Sequence, residues 1–126
     1  QKVELDAPKY LLFLPPGEKQ ELSLLFMHYL ISVRNVRVIN LGQDISIEDL
    51  KDAYAIHPTD YIATVLSENE DIDLQDFIDT LSNNFPDVQC LVCGYQVVAQ
   101  RAEAAENVIL APGMEDALAH LELSTL

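Results

Sequence analysis

Two cysteines, three histidines and one proline-glycine loop are the residues whose types and spacing suit chemistry in this chain. Cys90 and Cys93 form a C-x-x-C, a spacing used by redox and metal sites. Redox motifs of this kind act at a helix N-terminus, where the dipole stabilises the thiolate. Here both cysteines fall inside the apolar run VQCLVCGY. Residues three apart in a strand point to opposite faces, so the pair is read as two buried structural thiols, without disulfide or chelate. His28, His57 and His120 lie in different segments with no carboxylate or thiol at chelating spacing, which argues against a zinc site and puts them at the surface or facing a partner. Ser67 lacks the glycines of a nucleophile elbow, and no Ser, His and acid set is suggested by order or spacing. No catalytic residue and no metal ligand is assigned, and an enzyme is not expected.

The loop reads YLLFLPPGEKQE from Tyr10 to Glu21: an apolar strand, a Pro-Pro-Gly turn and an acidic helix start. In an open parallel sheet such loops sit at the carboxyl ends of the strands, where ligands bind. A phosphate cradle is disfavoured, because the loop has one glycine, Gly17, and opens its helix with Glu18. A phosphorylatable receiver domain is also disfavoured. It needs an acidic pair after the first strand, an Asp ending the third and a Lys ending the fifth, where this chain has Pro15 and Pro16, Leu66 and Ser67, and Pro112.

These loops need a scaffold, and 126 residues bury a sizeable single core without disulfides or metals. Seven Lys plus Arg against 21 Asp plus Glu give a net charge of −14. Such a surface repels polyphosphate, so this chain by itself does not grip DNA or RNA. The acids are spread over helix starts and loops, the ordinary place for a solvated charge. No apolar run long enough for a membrane span and no signal-peptide layout occur, and a cytoplasmic location is expected. Residues 1–9 read as a polar lead-in from a longer protein, and residues 10–126 as one domain.

Short Val, Ile and Leu runs alternate with helical patterns about five times, which predicts an α/β fold. It is a flavodoxin-like, doubly wound five-stranded parallel sheet in three αβα layers. Strands are expected at 10–14, 36–41, 61–66, 88–93 and 108–111. Helices are expected at 18–33, 47–56 and 74–83, with a short one after Gly94 and a last one at 114–121. In the third helix Leu74, Phe77, Ile78 and Leu81 form one apolar stripe. The second opens with Ser46 and Asp49, a capping box with the shorter acid, and turns Ile47, Leu50 and Tyr54 to the sheet. The first helix has a stripe of Leu22, Phe26, Tyr29, Leu30 and Val33, yet it also carries Leu24, Leu25, Met27 and Ile31 on other faces. A helix apolar nearly all round calls for a second partner, so an interface is expected there.

The segment PPGEKQELSLLFMHYLISVRNVRVINLGQDISIEDL resembles the start of the cobalamin-binding domain of MerR-type transcriptional regulators. The resemblance covers residues 10–121 and is most specific in the first half, where LGQDISIEDL matches a second strand ending in Leu-Gly and the helix after it. It implies a ligand site over Gly17, Glu18, Gln20, Ser23, Ser67, Cys93 and Gly94. In the family's acid-x-His-x-x-Gly pattern, Glu18 matches the acid, Gln20 stands where the cobalt-coordinating histidine would be, and Ser23 replaces the glycine. The Gly-Gly after the fourth strand is Cys93-Gly94, and the small residue ending the third strand has no clean match in 64–67.

What the resemblance implies is an effector-sensing or oligomerisation domain of a transcriptional regulator, with cobalamin binding lost or altered. Gln20 is a poor cobalt ligand, and the larger residues narrow the slot. No cofactor is expected, cobalamin being the one the resemblance offers. The implied partners are DNA through an N-terminal domain, a second subunit and a small-molecule effector, with no membrane. The competing implication is a corrinoid carrier serving a methyltransferase or mutase. A small-molecule binder unrelated to regulation is the third reading.

Overall fold

A computed structural model of the chain describes residues 7–117 and 119. Five parallel strands form one sheet: β1 (Lys9–Phe13), β2 (Arg37–Asn40), β3 (Tyr61–Val65), β4 (Gln89–Cys93) and β5 (Val108–Ala111), in the order β2-β1-β3-β4-β5. Between them run α1 (Glu21–Ser32), α2 (Ile47–Ile56), α3 (Leu74–Asn84) and α4 (Tyr95–Gln100). This is the flavodoxin-like three-layer architecture the alternation predicts. Residues 114–117 and 119 are helical, as expected of the last helix, while His120 and Leu121 lie outside the described residues, as do residues 1–6 of the lead-in.

The three central strands are buried on both faces after their first residue, as a parallel sheet covered by helices requires. On one face Tyr10, Leu12, Ala63, Val65, Leu91 and Cys93 pack with Leu24, Met27 and Ile31 of α1 and with Ala117. On the other, Leu11, Phe13, Ile62, Cys90 and Val92 pack with Leu50 of α2 and with Leu74, Phe77, Ile78 and Leu81 of α3. The cysteines thus fall in opposite layers, as their spacing predicts, and both are free thiols pushed up to about 12 by burial. Tyr10 and Tyr61, register partners on β1 and β3, stack with ring centroids 4.4 Å apart. Burial pushes the Tyr10 phenol well above its usual range.

The predicted capping box at Ser46 is present: its Oγ accepts from Asp49 N at 3.1 Å, and the Asp49 carboxylate accepts from Ser46 N. The α3 stripe is buried throughout, and Asp73 caps that helix by accepting from Asp76 N.

One expectation for the first helix is corrected. The helix begins at Glu21 and not at residue 18, because the Glu18 side chain is turned away to bind another loop. Its buried face is Leu24, Met27 and Ile31, whereas Leu22, Leu25, Phe26, Tyr29 and Val33 lie exposed. The predicted stripe therefore faces outward.

Candidate functional site

β1 and β3 are neighbours in the sheet, but their following helices pack on opposite faces, so the crevice between the two loops is the topological switch point where ligands bind in such folds. The loop after β1 carries Pro15, Pro16, Gly17 and Glu18; the loop after β3 carries Ser67, Glu68 and Asn69. Leu14 N and Ile45 N tie the first loop to the β2–α2 turn through Gly42 O and Leu14 O.

The Glu18 side chain closes the crevice. It is only 2% exposed. One carboxylate oxygen accepts from Ser67 N at 2.7 Å, Glu68 N at 3.1 Å and Asn69 N at 3.2 Å. The other accepts from Glu68 N at 3.2 Å and Gln20 N at 3.3 Å. Successive backbone N–H groups converging on one point form a nest, an anion-binding concavity. Here the anion it holds is the chain's own.

Two glycines allow the loops to come this close. Gly17 has φ of +91°, and a Cβ there would lie 2.7 Å from the Asn69 amide nitrogen, which itself donates to Pro16 O at 3.0 Å. Gly94 has φ of +122°, and a Cβ there would lie 2.5 Å from Leu66 O, so β4 leads into α4 with backbone against backbone. Leu66 O then accepts from Gln96 N, and Ser67 O accepts from the buried Gln96 side chain at 3.0 Å. Gln100 joins Gln96 to Ile72 O and Leu74 N. The β3–α3 loop is thereby held from one side by Glu18 and from the other by two glutamines of α4.

Gly17, Glu18, Gln20 and Ser67 lie around this crevice, and Ser23 is joined to it through Gln20. Gln20 donates to the Glu68 carboxylate at 2.6 Å and accepts from Ser23 Oγ at 3.1 Å, so both ends of its amide are engaged within the chain. Ser67 Oγ accepts from Tyr95 N at 3.4 Å. Gly94 lies at the adjoining strand end, while Cys93 is 1% exposed and packs into the α1 layer. Of the histidines, His28 pairs with Asn40 Nδ2 through its Nδ1, and His57 is exposed at the end of α2. Among the described residues no cluster of His, Cys, Asp and Glu is arranged to hold a metal ion. Nothing local along the chain marks Asn69, Gln96 and Gln100, isolated amides whose partners lie up to 53 residues away.

Beside the crevice an open cavity of about 400 Å³ is lined by Gly17, Lys19, Glu68, Asn69, Glu70 and Asp71. Three carboxylates against one ammonium repel an anionic ligand. Two further cavities lie at the amino ends of the strands. One of about 470 Å³ is bounded by Ser82, Pro86 and Asn107, and one of about 260 Å³ by Lys9, Arg37 and His57. No helix among the described residues is long and apolar enough to cross a membrane.

No protein-family model and no curated protein matches the chain. Among solved structures it is similar to a cobalamin-binding protein from Desulfitobacterium hafniense DCB-2, with a TM-score of 0.68 at 11% identity over 94% of this chain and 59% of that one. It is also similar to RcsB from Salmonella enterica serovar Typhimurium bound to the promoter rprA, with a TM-score of 0.56 at 15% identity over 94% of this chain and 61% of that one. A second structure of the Salmonella typhimurium RcsB response regulator gives 0.57 at 15% identity over 95% and 61%. The chain therefore spans about three fifths of the length of these proteins. At such identities the likeness is one of fold alone, a flavodoxin-like fold like that of cobalamin-binding domains.

Proposed function

We propose that this chain is the effector-sensing or oligomerisation domain of a MerR-type transcriptional regulator, with cobalamin binding lost or altered. It acts in the cytoplasm, carries no catalysis, and leaves DNA to a separate N-terminal domain. The net charge of −14 supports that division of labour. So do the resemblance carried by LGQDISIEDL and the fold shared with a cobalamin-binding protein. An effector would act by its differential affinity for two association states.

The observation that carries the loss of cobalamin binding is the Glu18 carboxylate seated on the amides of residues 67–69. The residues do not fit the cofactor in the family's usual mode. Gln20 stands at the position of the cobalt ligand, and its amide is tied to Ser23 and Glu68. An amide is a poor ligand for cobalt beside imidazole. The loops a nucleotide tail would have to part are already joined to each other, and Gly94 lies against Leu66 O.

The corrinoid-carrier reading draws on the likeness to the Desulfitobacterium hafniense protein, and needs a cobalamin held without a protein ligand. An absorption spectrum after incubation with hydroxocobalamin or adenosylcobalamin and desalting separates the two. A colourless protein is expected, and Gln20→His is expected to stay colourless because Glu18 still fills the crevice. Retained corrinoid colour would favour the carrier or a cofactor sensor. For the regulatory role the assembly state of the full-length protein is followed with and without candidate effectors. A strict monomer indifferent to all of them counts against it.

A further inference from the structure

The outward face of α1 has no partner among the described residues. Leu22, Leu25, Phe26, Tyr29 and Val33 are each more than half exposed, from 53% at Val33 to 79% at Leu22. Together they present on the order of 650 Å² of mostly apolar surface, at or above the largest patch of an ordinary monomer. The face is also nearly free of charge in a strongly acidic protein: of 21 Asp and Glu, α1 carries only Glu21, its first residue.

We infer that this face pairs with the same face of a second copy, α1 against α1, antiparallel about a two-fold axis. Leu22, Phe26, Tyr29 and Val33 are spaced four, three and four residues apart, the alternating steps of a two-helix seam. That seam reads the same from both ends. An isologous contact demands such self-complementarity. With the axis between residues 27 and 28, Leu22 meets Val33 of the other copy and Phe26 meets its Tyr29, while Leu25 and Leu30 flank the seam. The antiparallel helix dipoles then attract. Complete coverage of the two faces would bury roughly 1,300 Å², at the lower end of specific interfaces. The lack of carboxylates matters most here, because two copies of net charge −14 can approach at short range only where neither presents acids.

The inference deepens the reading of the domain as an association module, and rests on it. Sedimentation equilibrium of the chain from about 1 to about 200 µM tests it, with association expected on the order of micromolar. The mass should rise from 14.1 kDa to twice that value and no further. A chain that stays monomeric, its α1 face then serving a different protein or segment, would overturn the pairing. The charge variants Phe26→Glu with Tyr29→Glu, and Phe26→Lys with Tyr29→Lys, should each be monomeric with an unchanged circular dichroism spectrum, and an equimolar mixture should dimerise again. Variants that still self-associate, or a mixture that remains monomeric, would refute this geometry. Leu22→Ser, at the most exposed position, serves as the milder probe and should weaken the dimer about tenfold. Corrinoid uptake and effector response are read in separate experiments, so a failure of this pairing and a failure of the regulatory reading are told apart.

Discussion

Removing the Glu18 carboxylate should cost stability and create a binding site at the same time. In Glu18→Ala the N–H groups of Ser67, Glu68 and Asn69 lose their common acceptor, and Gln20 N loses its own. Hydrogen bonds to a charged group contribute about 1.5–3 kcal/mol each, and leaving a buried donor unpaired costs about 1–3 kcal/mol. Glu68 is solvent-exposed, and water can satisfy part of the loop. A net loss of about 3 kcal/mol is therefore expected. That is a large fraction of the ~5–15 kcal/mol by which a domain is stable. Glu18→Gln keeps one oxygen for the three loop amides but turns an NH₂ toward Glu68 N and Gln20 N, so about half the loss should remain. Urea unfolding followed by circular dichroism measures both. The vacated nest should then take a small carboxylate. Formate at ten times its dissociation constant would restore about 1.4 kcal/mol to Glu18→Ala and leave the wild type unchanged. A loss below about 1 kcal/mol, or formate acting no better than chloride at equal ionic strength, would show that the clamp is not what holds the two loops.

Other positions give independent tests. Gly94→Ala places a Cβ against Leu66 O at a φ that side chains rarely adopt, so a loss of about 3 kcal/mol or more is expected in the same denaturation assay; a loss under about 1 kcal/mol would mean the strand end relaxes freely. Ser46→Ala removes half of the α2 capping box and should cost about 1 kcal/mol, with no change in Tm counting against the cap. The buried thiols make the fold alkali-sensitive. Cys90 and Cys93 are raised from 9.0 to about 12, so above pH 9 the unfolded chain gives up protons that the folded one keeps. Each thiol then withdraws about 1.4 kcal/mol per pH unit up to about 12. Stability should be flat below pH 9 on this account and fall above it, and the fall should be shallower in Cys90→Ala with Cys93→Ala when Tm is followed against pH.

The sheet, α2 and α3 were legible because their signals are local. Apolar runs mark strands buried on both faces, Ser46 and Asp49 mark a cap three residues apart, and Leu74, Phe77, Ile78 and Leu81 repeat at the helical period. The alternation of a strand also separated Cys90 from Cys93 without any structure. α1 was harder because it is apolar on every face, and periodicity cannot then choose which side meets the sheet. Packing chose Leu24, Met27 and Ile31. The start of α1 was misplaced for a different reason. Glu18 has the composition of a helix start, but its partners are 49–51 residues away, and nothing local records them. The same distance hid Gln96, whose side chain reaches Ser67 O across 29 residues.

The Glu18 clamp also bears on how the domain comes apart. The residues it joins lie just beyond the carboxyl ends of β1 and β3, past the last register pair, Phe13 with Thr64. Closing so long a loop is costly before the strands have formed. The clamp therefore belongs to the last part of folding and to the first part of unfolding. A contact absent from the transition state leaves the folding rate nearly untouched and acts on the unfolding rate alone. Glu18 is a latch: the time for which a molecule stays folded depends on a side chain that contributes almost nothing to how quickly it folded.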